Sequence, residues 1–278
     1  MRAINTVNTQ KEQLKHGSFK FGNGPDVMLI VGSCRFIPYL NYLEWLQAGN
    51  KFTIHFIDPC NFNWDAKGNR VDCQAVINEL ETSEWFLGLL KSSKIYIHEL
   101  YSSYGVFNSF RINPKNIYQF GLQPELDVMV PNFHDIFILF QDFARCFDGS
   151  KELFRHDIST IGRLSQKVQE NTAGIALGNL ETFYRTCEMS DIPEFGDEFR
   201  KNWQFHRFFW NNNHVTNRFT KAVFRLLNDK FLKLETTDDF WQKVDREDMY
   251  ANPHTPITRY DVESYELRWN EPVEELKP

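Results

Sequence analysis

Five consecutive apolar residues, Val27-Met28-Leu29-Ile30-Val31, run straight into Gly32-Ser33-Cys34. A strand with one wet face alternates apolar and polar residues. A run that is apolar throughout must be covered on both faces, which is the pattern of a strand inside a parallel sheet. Beyond the turn, Leu40, Leu43 and Leu46 recur at helical spacing, Pro38 suits a first helical turn and Gly49 suits the residue after the helix end. Residues 52–57 then read as a second strand, closing a strand-helix-strand unit whose crossover should be right-handed. The predicted class is α/β with a parallel sheet.

The rest of the chain extends that pattern. Residues 1–25 are polar and end in Gly22-Asn23-Gly24-Pro25, which reads as an arm, with the first regular element starting at Asp26. Residues 71–90 read as one or two helices with a break at Ser83. Residues 95–98 and 126–130 read as two more strands, the second stopped by Pro131. Residues 101–120 are too irregular in pattern to assign and long enough to be a functional loop. Helical periodicity then takes over at 133–147, 158–170, 173–188 and 216–234, interrupted at 190–196, so the C-terminal half is expected to be rich in helix. We expect one domain over 26–235, with the charged, proline-punctuated segment 236–278 wrapping its surface.

Composition excludes several classes. There are 31 Lys and Arg against 37 Asp and Glu, a net charge of -6, so a basic nucleic-acid coat is ruled out and no nucleic-acid partner is expected. Five scattered cysteines without a C-x-x-C pair fit a reducing compartment. No apolar run nears the roughly 18 residues that a membrane span needs, and the first residues lack a signal-peptide core, so a soluble cytoplasmic protein is expected. Scattered His and Cys show no zinc-like spacing, so no metal is expected, and both phosphate-loop and dinucleotide fingerprints are absent.

Chemistry has two places to sit. In an open parallel sheet, ligands bind beyond the carboxyl ends of the strands, where Gly32-Ser33-Cys34-Arg35 lies. A thiol at a helix start beside Arg35 should be activated as a nucleophile, with Ser33 as the competing nucleophile; the alternative is a buried Cys34 that packs as a small hydrophobe. The second place is the aromatic stretch Trp203 to Trp210 followed by Asn211-Asn212-Asn213-His214. His214 near a helix start should be a neutral imidazole, the form a general base needs, and Asn211 could orient it or offer an amide to an oxyanion. The competing reading is a capping loop with Thr216 as the N-cap. Trp203, Phe208, Phe209 and Trp210 either stack on a sugar or adenine or belong to the core. Arg218, Lys221 and Arg225 form a basic stripe that could receive phosphates. His98-Glu99 at a strand end could pair as base and carboxylate, and Asn132 and His134 lie at the same sheet edge.

Gly32-x-Cys34 after the first strand, Pro131-Asn132 after a later one, and Asn213-His214-x-Thr216 after an aromatic stretch resemble the WcbI-type polysaccharide biosynthesis proteins, a family assigned to acetyl transfer and related to SGNH hydrolases. The resemblance spans about three quarters of the chain. It implies a Rossmann-like three-layer fold, coenzyme A or acetyl-CoA as acyl carrier, and O-acetylation of a sugar in a glycan. Cys34 then falls on the motif cysteine, His214 on the motif histidine, and Asn211 on the Asp of the hydrolase D-x-x-H pattern. The chain departs from the family's G-N-C-Q and N-H-P at Ser33, Arg35 and Val215. The expected function is a CoA-dependent acyltransferase with a carbohydrate acceptor, with Cys34, His214 and Asn211 catalytic. Gly32, Ser33, Arg35, His98, Asn132, Asn213 and Arg218 would bind substrate. The competing readings are an SGNH-like esterase, a sugar-nucleotide-dependent glycosyltransferase, and a glycan- or nucleotide-binding module without catalysis.

Overall fold

The computed structural model describes residues 12–14, 18–59, 80–103, 106–109, 124–132, 166–211, 214–248 and 257–274. The run at 26–31 is a central strand, β3 (Asp26–Val31), and its last four residues are fully enclosed. A 3-10 turn, Cys34–Phe36, leads into α1 (Ile37–Trp45), and the chain returns in β4 (Phe52–Ile57), parallel to β3. On the other side β3 pairs in parallel with β5 (Ser93–Ser103), which in turn pairs in parallel with β7 (Leu126–Asn132). The four parallel strands therefore lie in the order β4-β3-β5-β7, and the direction of winding reverses between β3 and β5. That reversal is the topological switch point at which doubly wound sheets open a crevice.

Helices cover both faces, as the unbroken apolar runs require. Leu29, Val31, Ile57 and Tyr96 pack with Leu80 and with Phe86 and Leu90 of α2 (Glu84–Ser92), which Ser83 caps by accepting from Phe86 N. On the opposite face Met28, Ile30, Ile54, Ile97 and Val128 meet α1, α3 (Gln166–Met189), α4 (Glu194–Asn202) and α5 (Asn217–Leu227). Six consecutive residues of α1, from Pro38 to Leu43, are buried, because this helix is clamped between sheet and α5. Its Tyr39 and Tyr42 rings lie 6.4 and 5.2 Å from Phe224, and Tyr42 Oη bonds Thr220 Oγ1 at 2.8 Å.

The phenylalanines find their use here. Phe183, Phe195, Phe199, Phe208 and Phe219 come from three helices and a loop and interlock largely edge to face, with centroids 4.7 Å apart for Phe195–Phe219 and 4.9 Å for Phe183–Phe199. Such pairs add about 0.5–1.5 kcal/mol each beyond area burial and fix the angle at which helices meet.

The structure departs from the sequence reading in several places. Residues 12–14 and 18–21 form an antiparallel pair, β1 (Glu12–Leu14) and β2 (Ser18–Phe21), and β2 joins β4 antiparallel, so regular structure begins before Asp26. The signal was the Phe19/Phe21 alternation, with Phe21 buried against the core. Gly49 does not end α1. Gln47 takes the left-handed turn at φ 53°, and a Cβ on Gly49 would stand 2.9 Å from the Gly22 Cα. Pro131 lies inside β7 rather than ending it, opposite Leu100; β5 is the one described partner of β7, so the missing N–H costs no ladder bond.

β5 is longer than the expected strand at 95–98. Its far end pairs antiparallel with β6 (Val106–Ser109), inside the stretch that seemed irregular. The expected helices at 133–147 and most of 158–170 lie outside the described residues, whereas 173–188 belongs to α3. The segment after 236 does not merely wrap the surface. Phe240 and Val244 of α6 (Asp238–Arg246), Ile257 of β10 (Ile257–Thr258), Tyr265 of α7 (Arg259–Tyr265) and then Leu267 and Trp269 all join the main core.

Trp269 is the test of that last point, because its indole packs on Phe209 and donates to Trp203 O at 2.7 Å. Trp269→Ala is expected to cost about 3–5 kcal/mol in urea denaturation. Met189→Ala, at a half-exposed position, should change stability by no more than about 0.5 kcal/mol.

Candidate functional site at the sheet switch point

Gly32 ends β3 by donating its N–H to Ile57 O at 3.0 Å. A Cβ there would lie 2.5 Å from the buried Phe36 ring, so only glycine lets the chain fold back over its own aromatic side chain. Ser33 is extended and caps the 3-10 turn, its Oγ accepting from Arg35 N at 3.4 Å. Both donors of Ser33, its N–H and its hydroxyl, point to Oε2 of Glu99 at 2.7 Å. Arg35 turns inward, with Nη1 3.1 Å from Ser33 Oγ and 3.9 Å from Glu99 Oε1. Glu99 is fully enclosed and Arg35 is 5 % exposed.

A buried carboxylate thus spans the switch point from β5 and fixes the turn after β3. Burying such an ion pair is costly, and the pair persists because the Ser33 donors and Arg35 together compensate the charge. This geometry reassigns two expected roles. Ser33 is 2 % exposed with its hydroxyl committed to Glu99, so it is no competing nucleophile. Arg35 does not stand beside the thiol as an open cation; it belongs to the floor of the turn. Cys34 is partly exposed and lies between these two inward-facing residues at the start of the helical segment. The other described cysteine without a disulfide, Cys187, is buried, and burial pushes its thiol well above the usual range.

His214 reaches the same region from the far end of the chain. Strands β8 (Phe209–Asn211) and β9 (His214–Val215) form a small antiparallel hairpin in which Asn211 stands directly opposite His214. Thr216 closes it, donating its N–H to Phe208 O at 3.0 Å and capping α5 by accepting from Phe219 N. Pro38 and Tyr42 of α1 line a small cleft together with Val215, Thr216, Asn217 and Thr220, so the start of α1 and the end of the hairpin abut. His214 is half-buried, and its pKa is lowered first by burial and then by the positive charge of Arg35. Burial and Arg35, rather than a helix dipole, are what favour the uncharged imidazole. The packing of Pro38 and Tyr42 against Val215 and Thr216 brings the hairpin that bears the histidine to the segment that follows the cysteine turn.

The remaining expected residues divide. On β5 the side chains alternate, so Glu99 shares the α1 face with Ile97, while His98 shares the α2 face with Tyr96. The expected His98–Glu99 pair is therefore split by the sheet, and His98 Nε2 instead meets Asp127 Oδ1 at 3.0 Å. Asn132, buried at the end of β7, continues the face of Val128 and Val130 and is carried to the same rim and face as Glu99. Arg218 is exposed at the start of α5. Lys221 of the expected basic stripe is held by Asp245 at 2.7 Å. Trp203, Phe208 and Phe209 are core residues, and the Trp210 indole N–H is bound to Asp248. Asn213 and His134 lie outside the described residues. Among the described residues no cluster of three His, Cys, Asp or Glu is arranged to hold a metal, and no helix is long and apolar enough to cross a membrane.

Two residues that shape the site were not singled out for it. The sequence pattern pairs Glu99 with His98, although its place one residue past His98 puts it on the other face of the sheet. Asp248 lies in the segment taken for surface, and nothing in its neighbourhood marks it.

No protein-family model matches the chain, and no curated protein matches it. Among solved structures it is similar to WcbI, described as a novel polysaccharide biosynthesis enzyme, in a native form without a disulfide bond between coenzyme A and a cysteine. The similarity has a TM-score of 0.41 at 12% identity, covering 77% of this chain and 71% of that one. Likeness at that level says nothing about chemistry.

The buried carboxylate gives the test of this geometry. Glu99→Ala leaves Arg35 and both Ser33 donors without their compensating charge, and should destabilise the protein by about 3–5 kcal/mol in chemical denaturation. Glu99→Ala combined with Arg35→Met should cost less than Glu99→Ala alone, giving a favourable coupling in a double-mutant cycle.

Proposed function

We propose that this protein is an acyltransferase that takes an acyl group from a coenzyme A thioester and passes it to a carbohydrate hydroxyl, with Cys34 and His214 as the reacting side chains. The observation that carries the reading is that Pro38 and Tyr42, which follow the turn bearing the partly exposed thiol, line one small cleft with Val215 and Thr216, which follow His214. Donor and acceptor class come from the motif resemblance at Gly32-x-Cys34 and Asn213-His214-x-Thr216. The commitment of Ser33 to Glu99 argues against a serine esterase using that hydroxyl.

The chemistry follows from these groups. The Cys34 thiolate attacks the thioester carbonyl, forming a new S–C bond as the old one breaks and the coenzyme leaves as its thiolate. His214 then takes the proton of the sugar hydroxyl as its oxygen attacks the Cys34 thioester. Cys34 is released as thiolate and the imidazolium returns its proton to the departing thiolate or to water. In a direct variant, His214 activates the hydroxyl against the donor itself and Cys34 only lines the site. In this reading the exposed Arg218 would meet a phosphate of the donor, whereas Lys221 is already paired with Asp245.

Rapid mixing with radiolabelled acetyl-CoA separates the two routes, because an acid-stable protein adduct that is lost in Cys34→Ser belongs only to the first. Turnover that persists in His214→Ala would sink both. The acid side of the rate profile gives a second check. A base must be neutral to act, and burial together with Arg35 holds His214 below the ordinary imidazole value of about 6.5, so the rate should fall only at lower pH. Replacing Arg35 by Met in a Glu99→Gln background, which avoids an unpaired buried carboxylate, removes the nearby positive charge. It should move that acid limb to higher pH.

A further inference from the structure

β9 contains only two residues, too few to fix its own position, so the hairpin that carries His214 depends on what grips its ends. One side chain grips both. Asp248, just beyond α6, places a single carboxylate oxygen, Oδ2, 3.0 Å from Trp210 Nε1 and 2.9 Å from Asn217 N. Trp210 lies in β8 before the histidine, and Asn217 opens α5 after it. A carboxylate that accepts two N–H groups at a helix start is favoured by its charge and by the helix dipole together.

The surroundings make this a rigid clasp. Arg207 lies over the Trp210 ring at 5.2 Å and over Trp269 at 5.2 Å, and its Nη1 meets Glu271 at 2.7 Å. Asn217 Nδ2 donates to Val244 O and Asp245 O at 3.1 and 3.0 Å, fastening the start of α5 to the end of α6.

We propose that Asp248 is a positioning residue of the site, tying Trp210 to the start of α5 so that the intervening hairpin presents His214 to the Cys34 turn. The functional part of this rests on the reading of His214 as the base; the bracket itself does not.

The experiment uses the full chain with Asp248→Ala and Asp248→Asn. The first readout is the rate at which diethyl pyrocarbonate modifies His214, followed by mass spectrometry of the peptide, with the exposed His206 as internal reference. Loss of two hydrogen bonds should free the hairpin and speed His214 modification about tenfold in Asp248→Ala. His206 should be unaffected, and Asp248→Asn, whose amide oxygen still accepts, should stay near wild type. The second readout is acyl transfer, where kcat should fall about tenfold while KM for the thioester holds.

A lowered Tm with His214 modified at the wild-type rate would overturn the proposal. If the wild type transfers no acyl group but Asp248→Ala still accelerates His214 modification, the acyltransferase reading fails and the bracket stands. Should Asp248→Ala fail to accumulate, Trp210→Phe removes the indole donor alone and is read for the same two outcomes.

Discussion

The architecture around the cleft turns on one enclosed negative charge. Glu99 sits where winding of the sheet reverses, and its carboxylate binds the next strand's turn through Ser33 and Arg35. A charge so far from water tolerates little displacement, because every departure from its partners is penalised in a low-dielectric interior. The turn therefore inherits rigidity from a polar contact rather than from packing. Three residues in a row are given distinct directions: Ser33 and Arg35 face in, and Cys34 between them is left at the opening.

The rest of the protein supplies the walls. Aromatic side chains from α1, α3, α4 and α5 meet in an interlocked core that sets where α5 begins, and the hairpin bearing His214 is the short connection into α5. Cys34 and His214 thus stand on short connecting segments whose supports are rigid elements, the arrangement in which loops usually carry function. The two supports differ in kind: a buried ion pair under the cysteine, aromatic packing and a carboxylate clasp around the histidine.

How far this was legible in the residues depended on whether the signal was local. The run at Val27–Val31, Pro38 in the first turn of α1, Ser83 and Thr216 as caps, and the parallel pairing of β3 and β4 are stated by neighbouring residues, and each was readable. Cys34 after the strand Asp26–Val31 and His214 shortly before a helix were likewise readable as residue types at positions. The purpose of Glu99 was hidden because it depends on a partner 66 residues away. The segment after 236 misled for a related reason: its charges sit on the outer faces of short helices whose few apolar residues, Phe240 and Val244 among them, reach the core. Pro131 misled because its usual prohibition assumes a partner on both sides of the strand.

The clasp at Asp248 has a consequence for the order in which the protein comes into being during synthesis. A ribosome that has delivered the chain only as far as residue 235 has released everything needed for the cysteine turn, including Glu99, but nothing that grips the hairpin. Growing chains emerge and fold from the amino end onward, so the turn that bears Cys34 is finished first and the hairpin that bears His214 is locked last.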